Sequence, residues 1–428
     1  MKKLITIVLA ICITTIPIIA SSNSESLSLT HKQLGDIYNS SGYDGQMLDV
    51  QYQLNKSSYE DNLEQYKDLE KLVDNLKGQT DVYATQVEQL WDKYKSLKDT
   101  DTITIKNPID GSNIKMKAKA YVYQQIIGMT GATSSFNQGY KESVKGQLEL
   151  YITMENLKLL LENNDTKKIQ QQLISKDNFD ELCYEYDLIQ MKQSLILQQK
   201  QLLENKIEIE QLKIGQGVTI DTEYNNLLNQ LLNIKTEEVQ VKSDINSKYE
   251  TIKKTLNLSE DKLYNLKITI PQTTPVEIID YTTFENFYKK YSLDYKTLNN
   301  NLEIQENYIS LVKEVYKEDD YEYKVKTLNY DKNKINNNNA MMMIELGIQQ
   351  KYNTYNTALK QYKVSIVSYE IASDKYKFDL MRSENGSIDK IGLEQATYDY
   401  SKAEYDYYSS MLQYIKAFNK YKQSCSGL

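Results

Sequence analysis

A single arginine, Arg382, in 428 residues leaves almost no means of gripping a phosphate with paired donors. A single histidine, His31, excludes a histidine-rich zinc site and leaves a histidine-based triad unsupported. Its place near a helix start reads as a solvated position. Proline occurs 4 times and glycine 15 times, and Pro17 lies in the leader. So few breakers favour long uninterrupted helices. Cysteine occurs 3 times, too few for a disulfide framework. Beyond the leader only Cys183 and Cys425 remain, and free thiols are expected over a pair. No glycine-rich loop ending in Lys-Ser/Thr occurs. Gly215-Gln216-Gly217 begins like a dinucleotide fingerprint, but Ile220 stands where the third glycine belongs, and a helix precedes it. No segment after the leader reaches about 18 apolar residues, so no later membrane-crossing helix is expected.

What is present is mixed charge, 26% of the chain with a formal net of −8, interspersed in sign. That pattern forms no basic face, so nucleic acid is not an expected partner. No pair of carboxylates stands out as acid and base, and no enzyme activity, cofactor or metal is expected. Glu318-Asp319-Asp320, with Asp331, reads as a solvated loop before a weak cation site. The 37 tyrosines fall largely in rows at helical spacing. They read first as core and seam residues, with a path for aromatic ligands as the alternative.

Residues 1–22 read as a signal peptide. Lys2 and Lys3 form the positive start, Leu4 to Ala20 the apolar stretch, and Ala20-Ser21-Ser22 a small-residue cleavage site. An uncleaved anchor is the rival reading, and Cys12 is a weak lipidation candidate. The protein is therefore expected to be exported. The mature chain divides into two repeats, 23–270 and 271–428, because Pro271 and Pro275 impose a break and overlap the alternating run Leu266–Ile270.

In the first repeat, Leu27-Ser28-Leu29-Thr30 leads into a helix that Thr30 can cap. Gly42 and Gly45 mark a bend, and a long helix is expected from Met47 to Lys98. Alternation over 102–106 and 114–123, around Asn107-Pro108-Ile109-Asp110-Gly111, predicts a β-hairpin. A loop is expected over 128–139, then helices over 141–162 and 177–214. In the last of these, Leu188, Leu195, Leu202 and Ile209 recur every seven residues, with a second row at Ile189, Ile196 and Leu203. Heptad spacing keeps a seam on a partner helix, and two rows imply more than one neighbour. Gly215-Gln216-Gly217 ends the helix. Thr219 or Asp221 can cap the return, whose seam is Tyr224, Leu227, Leu231, Ile234, Val241, Ile245 and Ile252, interrupted by Glu238 and Lys248.

The second repeat follows the same plan. A helix is expected over 283–317, a strand or short hairpin over 321–328, and a polar loop over 336–339. A long helix then covers 342–381, with Leu359, Tyr362, Ile366, Tyr369, Tyr376 and Leu380 on its seam. Asn385-Gly386-Ser387 turns the chain, with Asp389 at the start of the return helix, which carries Leu393, Tyr400, Tyr407, Met411, Tyr414, Phe418 and Tyr421. The fold class is mainly α: long antiparallel coiled-coil hairpins in two repeats with a small β-hairpin. Rods this long leave apolar stripes that must pack on each other or on other subunits, so a homo-oligomer is expected.

At its two turns the sequence resembles the TolC-like outer-membrane efflux protein family. That family's tip has glycine followed six residues later by aspartate, then a helix rich in Ala, Leu and Gln. Gly215 and Asp221, followed by Leu227 to Leu232, match it. The second copy starts at Gly386, with Ile391 and Ala396 matching later positions and Gly392 where aspartate is expected. The resemblance covers about residues 27–423. It implies a homotrimer whose hairpins close into an α-barrel, an export duct. The duct would dock a membrane-fusion adaptor or an ABC- or RND-type pump at a tip formed by Gly215, Gly217, Thr219, Asp221, Gly386 and Asp389. Two departures stand beside it. The strand candidates are too short or too lysine-rich for the family's membrane barrel, so an extracytoplasmic place in a single-membrane cell is open beside the outer membrane, and membrane association stays open. A structural coiled-coil protein of the envelope without a channel is the alternative function.

Overall fold

The computed structural model describes residues 27–41, 43–217 and 221–425. The leader with Cys12, and Gly42 and Thr219, lie outside them. The chain forms two compact units, each described in turn. The first takes the described residues through Ser41 together with Leu182–Ile270, and the second takes the remainder.

The first unit opens with strand β1 (Leu27–Thr30) and helix α1 (His31–Ser41). Thr30 and Gln33 form a capping box, Thr30 N–H donating to Gln33 Oε1 at 2.9 Å and Gln33 N–H to Thr30 Oγ1 at 3.4 Å. The unit continues with the later part of a 52-residue helix, α4 (Asn164–Gly215), and with α5 (Asp221–Thr255). It closes with β4 (Tyr264–Lys267), which pairs in parallel with β1, Leu27 opposite Tyr264 and Thr30 opposite Lys267. Nothing in the sequence pattern announced that pairing, because four-residue strands whose partners lie 237 positions apart carry no local signal. His31 is half-buried, with its ring edge-on to Tyr184 at 5.1 Å, and is not the freely solvated residue expected.

The core between α4 and α5 is Ile196 and Leu203 against Leu227, Ile234 and Val241, flanked by Ile189, Ile207, Leu231 and Ile245. The row at 189, 196 and 203 therefore makes the hairpin seam. The neighbouring heptad row runs from buried Leu202 to exposed Ile209. Both charges that interrupt the α5 seam are paired across to α4. Glu238 bonds Lys200 Nζ at 2.9 Å and also Lys242 at 2.7 Å, and Lys248 bonds Glu185.

The second unit begins with α2 (Tyr43–Ser96), so Gly45 lies inside a helix and makes no bend. The hairpin β2 (Thr102–Lys106) and β3 (Asn113–Lys117) follows, and then α3 (Ala118–Glu162), which pairs along α2. The expected second strand stops at Lys117, because Ala118, Val122 and Ile126 are buried at four-residue steps and continue as helix. The loop expected over 128–139 is also helix. Its hydroxyls are satisfied within the helix, Thr133 Oγ1 donating to Met129 O at 2.8 Å and Ser135 Oγ to Gly131 O at 3.2 Å. Of its glycines Gly139 serves packing, as does Gly146 just beyond, whereas Gly128 and Gly131 face open space. A Cβ at Gly139 would lie 3.6 Å from Leu76 on α2, and one at Gly146 would lie 3.1 Å from Leu69.

The helix expected over 283–317 is two, α6 (Tyr281–Tyr291) and α7 (Leu293–Val315). Ser292 breaks it in extended conformation and caps α7 through Oγ, which accepts from Tyr295 N–H. The strand expected at 321–328 and the loop at 336–339 are both part of one 64-residue helix, α8 (Tyr321–Glu384). Tyr323 and Tyr330, seven apart, pack on the core of Val144, Leu148, Ile309 and Val312 formed by α3 and α7. Seven residues is two helical turns, a spacing that the Glu/Lys alternation concealed. Of these asparagines Asn337 is held by α7, its Nδ2 donating to Leu298 O at 3.2 Å, and one turn earlier Asn333 Nδ2 donates to Gln305 Oε1 at 3.4 Å. The unit ends with α9 (Lys390–Ser424), which packs along α8.

One turn recurs. After α2, Lys98 N–H donates to Asp101 Oδ2 at 2.7 Å; after α7, Lys317 N–H donates to Asp320 Oδ2 at 3.1 Å. The acidic run at 318–320 is thus a helix-terminating turn. Cys183 and Cys425 both carry buried thiols, and burial pushes that of Cys425 up to about 12.

Candidate functional site

The expected tip residues fall at the two helix-reversing turns. At the second turn Gly386 takes φ +69°, the left-handed geometry that glycine adopts without a Cβ clash. Gly386 N–H donates to Ser383 O at 3.0 Å and Ser387 N–H to Arg382 O at 2.7 Å. These two bonds are the Schellman pattern, which satisfies carbonyls left open at a helix end. Asp389 then caps α9, its Oδ1 accepting from Gly392 N–H at 2.8 Å. Arg382, in the last turn of α8, pairs with Asp379 at 3.2 Å and sits where the helix dipole favours a cation.

At the first turn Gly217 also has φ +69°, and its N–H donates to Ile214 O at 2.9 Å. Gly217, and not Gly215, is the conformational counterpart of Gly386. Gly215 ends α4 with ordinary helical backbone, and a Cβ there would meet nothing within 4 Å. Asp221 is the first residue of α5; Thr219 lies outside the described residues.

Behind the second turn the hairpin is closed by alternating tyrosines. Ring centroids step from Tyr376 to Tyr400 (5.1 Å), Tyr369 (5.7 Å), Tyr407 (5.2 Å), Tyr362 (5.7 Å) and Tyr414 (5.5 Å), crossing between α8 and α9 at each step. Tyr400, Tyr369, Tyr407 and Tyr362 each lie between two rings of the facing helix, as heptad spacing on both partners requires. The hydroxyls of Tyr369 and Tyr400 bond at 2.9 Å. Burial first, and then that bond, push Tyr369 well above the usual phenol range. Sequence reasoning found these rows but not their second task. Tyr407 OH donates to Gln272 O at 2.8 Å and Tyr414 OH to Pro275 O at 3.3 Å, Tyr355 OH donates to Glu277 O, and Tyr414 OH accepts from Glu277 N–H at 3.1 Å. The extended linker 271–280 is therefore strapped to the hairpin by phenols.

Outside the seams, large apolar side chains stand exposed in rows. On α8 they are Val364, Val367, Ile371, Phe378 and Met381; on α5, Leu228, Leu232 and Val239. Their steps of three, four and seven place each set on one helix face. Among the described residues, no group of three or more His, Cys, Asp or Glu is placed to hold a metal, and no helix is long and apolar enough to cross a membrane.

No protein-family model and no curated protein matches this chain. Among solved structures it is similar to the outer-membrane channel OprN, at 10% identity over 86% of this chain and 92% of that one, with a TM-score of 0.44. It is likewise similar to the outer-membrane protein VceC of Vibrio cholerae, at 6% identity over 86% of this chain and 96% of that one, TM-score 0.44. A third is the CmeC outer-membrane channel of Campylobacter jejuni, at 11% identity over 84% of this chain and 85% of that one, TM-score 0.38.

Proposed function

We propose that this chain is a noncatalytic component of an envelope export or efflux system, in which hairpins from several copies line an oligomeric α-helical duct. The observation that carries the reading is the double-faced character of the α8–α9 hairpin. Its tyrosine seam is filled from within, while Val364, Val367, Ile371, Phe378 and Met381 stand open on another face of α8. A coiled-coil rod with a second apolar row needs a lateral neighbour. When each hairpin covers its neighbour's row, head-to-tail repetition closes into a ring with polar faces left for a lumen. A homotrimer supplies six hairpins.

The chain is exported to the cell envelope and built as repeats 23–270 and 271–428. The paired Lys98/Asp101 and Lys317/Asp320 turns and the shared geometry at Gly217 and Gly386 support that division. Each hairpin end, the first with Gly215, Gly217, Thr219 and Asp221 and the second with Gly386 and Asp389, is a docking point for a membrane-fusion adaptor or a pump of the ABC or RND type.

Light scattering of the mature chain tests the assembly. A trimer, or a larger closed ring, is expected. A chain that stays monomeric at micromolar concentration would remove the duct and leave a helical spacer. Asp221→Ala then tests docking, since export should fall while helicity and subunit count stay unchanged.

A further inference from the structure

At one end of the α2–α3 pair, in the second unit, the β2–β3 hairpin presents an apolar face that its unit covers only in part. The register places Ile103 opposite Met116 and Ile105 opposite Ile114, so these four share one side. Thr102, Thr104, Lys106, Asn113, Lys115 and Lys117 share the other. No residue of either strand is fully buried: Ile103, Ile105 and Met116 are half-buried, and Ile114 is 41% exposed. Two-stranded hairpins alone are marginal in water and usually need a covered face.

The turn is built to hold an apolar residue outward. Asn107 Oδ1 accepts from Ile109 N–H at 3.0 Å, Asp110 Oδ1 from Ser112 N–H at 2.9 Å, and Gly111 takes φ +71°. Within this ordered turn the Ile109 side chain is 92% exposed. At the base of the hairpin Trp91 lies edge-on to Tyr94 at 5.6 Å and to Tyr123 at 6.3 Å, with Trp91 and Tyr123 open to solvent.

The charge of this end is opposite to that of the chain. Between Trp91 and Lys119 there are seven lysines and four aspartates, a net of +3 on a chain of −8. Lys119 pairs with Asp99 and Lys95 with Asp92, but Lys93, Lys98, Lys106, Lys115 and Lys117 are exposed and make no salt bridge among the described residues. An apolar face, a lysine-rich opposite face and an amphipathic aromatic cluster beside them are the elements of an interfacial anchor. The strands are five residues long, short of the roughly 9–11 that a crossing strand needs.

We infer that the β2–β3 hairpin is a membrane foot that lies in the interface of an anionic lipid bilayer, with Ile109 and the Ile103/Ile105/Ile114/Met116 face in the lipid and the lysines among the headgroups. The duct reading is not needed for it, since a spacer would use the same foot. The sequence's single tryptophan, Trp91, reports on it directly. The mature full-length chain should sediment with vesicles of phosphatidylcholine containing about a third phosphatidylglycerol, and Trp91 emission should shift to the blue. Pure phosphatidylcholine vesicles should bind it at least tenfold more weakly. Ile109→Glu should reduce partitioning about tenfold or more, since it replaces a buried apolar side chain by a charge. Lys115→Glu/Lys117→Glu should do so in a salt-dependent manner. Ile109→Glu lies in an exposed turn, so its fold is checked by unchanged helicity. Three results would each overturn the inference: no sedimentation with anionic vesicles, binding indifferent to Ile109→Glu, or equal binding to a soluble polyanion without lipid. A change of subunit count with Ile109→Glu and no lipid binding would assign the face to a second copy instead.

Discussion

Two glycines in one turn should respond to alanine with opposite signs. Gly217 has φ +69°, and Gly215 is helical with open space where a Cβ would go. Forcing alanine into left-handed backbone costs about 1–2 kcal/mol. Stiffening of the unfolded chain offsets about 0.4–1 kcal/mol of that. Gly217→Ala should therefore destabilise the α4–α5 hairpin by about 0.5–1 kcal/mol. At Gly215 no left-handed term applies, and replacing glycine in a helix gains up to about 1 kcal/mol. The two variants should differ by about 1.5 kcal/mol, roughly a tenfold change in local opening. Native-state amide exchange across Leu227–Val241 reads that opening without assuming that the whole chain unfolds in one step. Gly217→Asn, which tolerates the left-handed region, should recover part of the loss. If both alanine variants moved exchange in the same direction, or Gly217→Ala left it unchanged, the assignment of Gly217 as the turn's left-handed residue would be wrong. Gly386→Ala should repeat the Gly217 result at the other hairpin, because it has the same φ and equally open surroundings.

Glu238, held by hydrogen bonds from Lys242 and then Lys200, sits at about 2 against an ordinary value of 4.5. A depressed carboxylate contributes stability above its unfolded value and loses it as pH falls. Acid titration should thus loosen α4–α5 between about pH 4.5 and 2, and Glu238→Gln should flatten that window. Tyr414→Phe removes the hydroxyl that accepts from Glu277 N–H and donates to Pro275 O. It should cost about 1–2 kcal/mol and speed exchange at Glu277 before the α8–α9 seam opens. Ile348, fully buried on α8, should cost about 2–5 kcal/mol on truncation to alanine, read as a lower melting temperature. Cys425, buried and raised to about 12, should resist maleimide at pH 8 in the folded protein and react once the chain is denatured.

The sequence by itself determined the rods and their reversals. Few breakers, heptad rows and the two glycine turns are local facts, since helix period and left-handed caps depend on neighbours within a few residues. The 102–117 hairpin was legible for the same reason, through its alternation and its Asn-Pro-Ile-Asp-Gly turn. Tertiary structure decided what local pattern leaves degenerate. Residues 128–139 and 336–339 have loop-like composition, yet Gly139 admits Leu76 nearby and Asn337 bonds to α7, so packing helps to keep them helical. The charged alternation at 321–328 looked like a strand until Tyr323 and Tyr330 found the α3–α7 core. Which of two heptad rows on α4 faces α5 was likewise undetermined, because both rows have the same period and only the partner chooses between them. The parallel pairing of β1 with β4 and the phenol strap on residues 272–277 are long-range contacts with no sequence period at all. Period is a property of one element, whereas partnership is a property of two, and that is the physical reason the sequence stopped where it did.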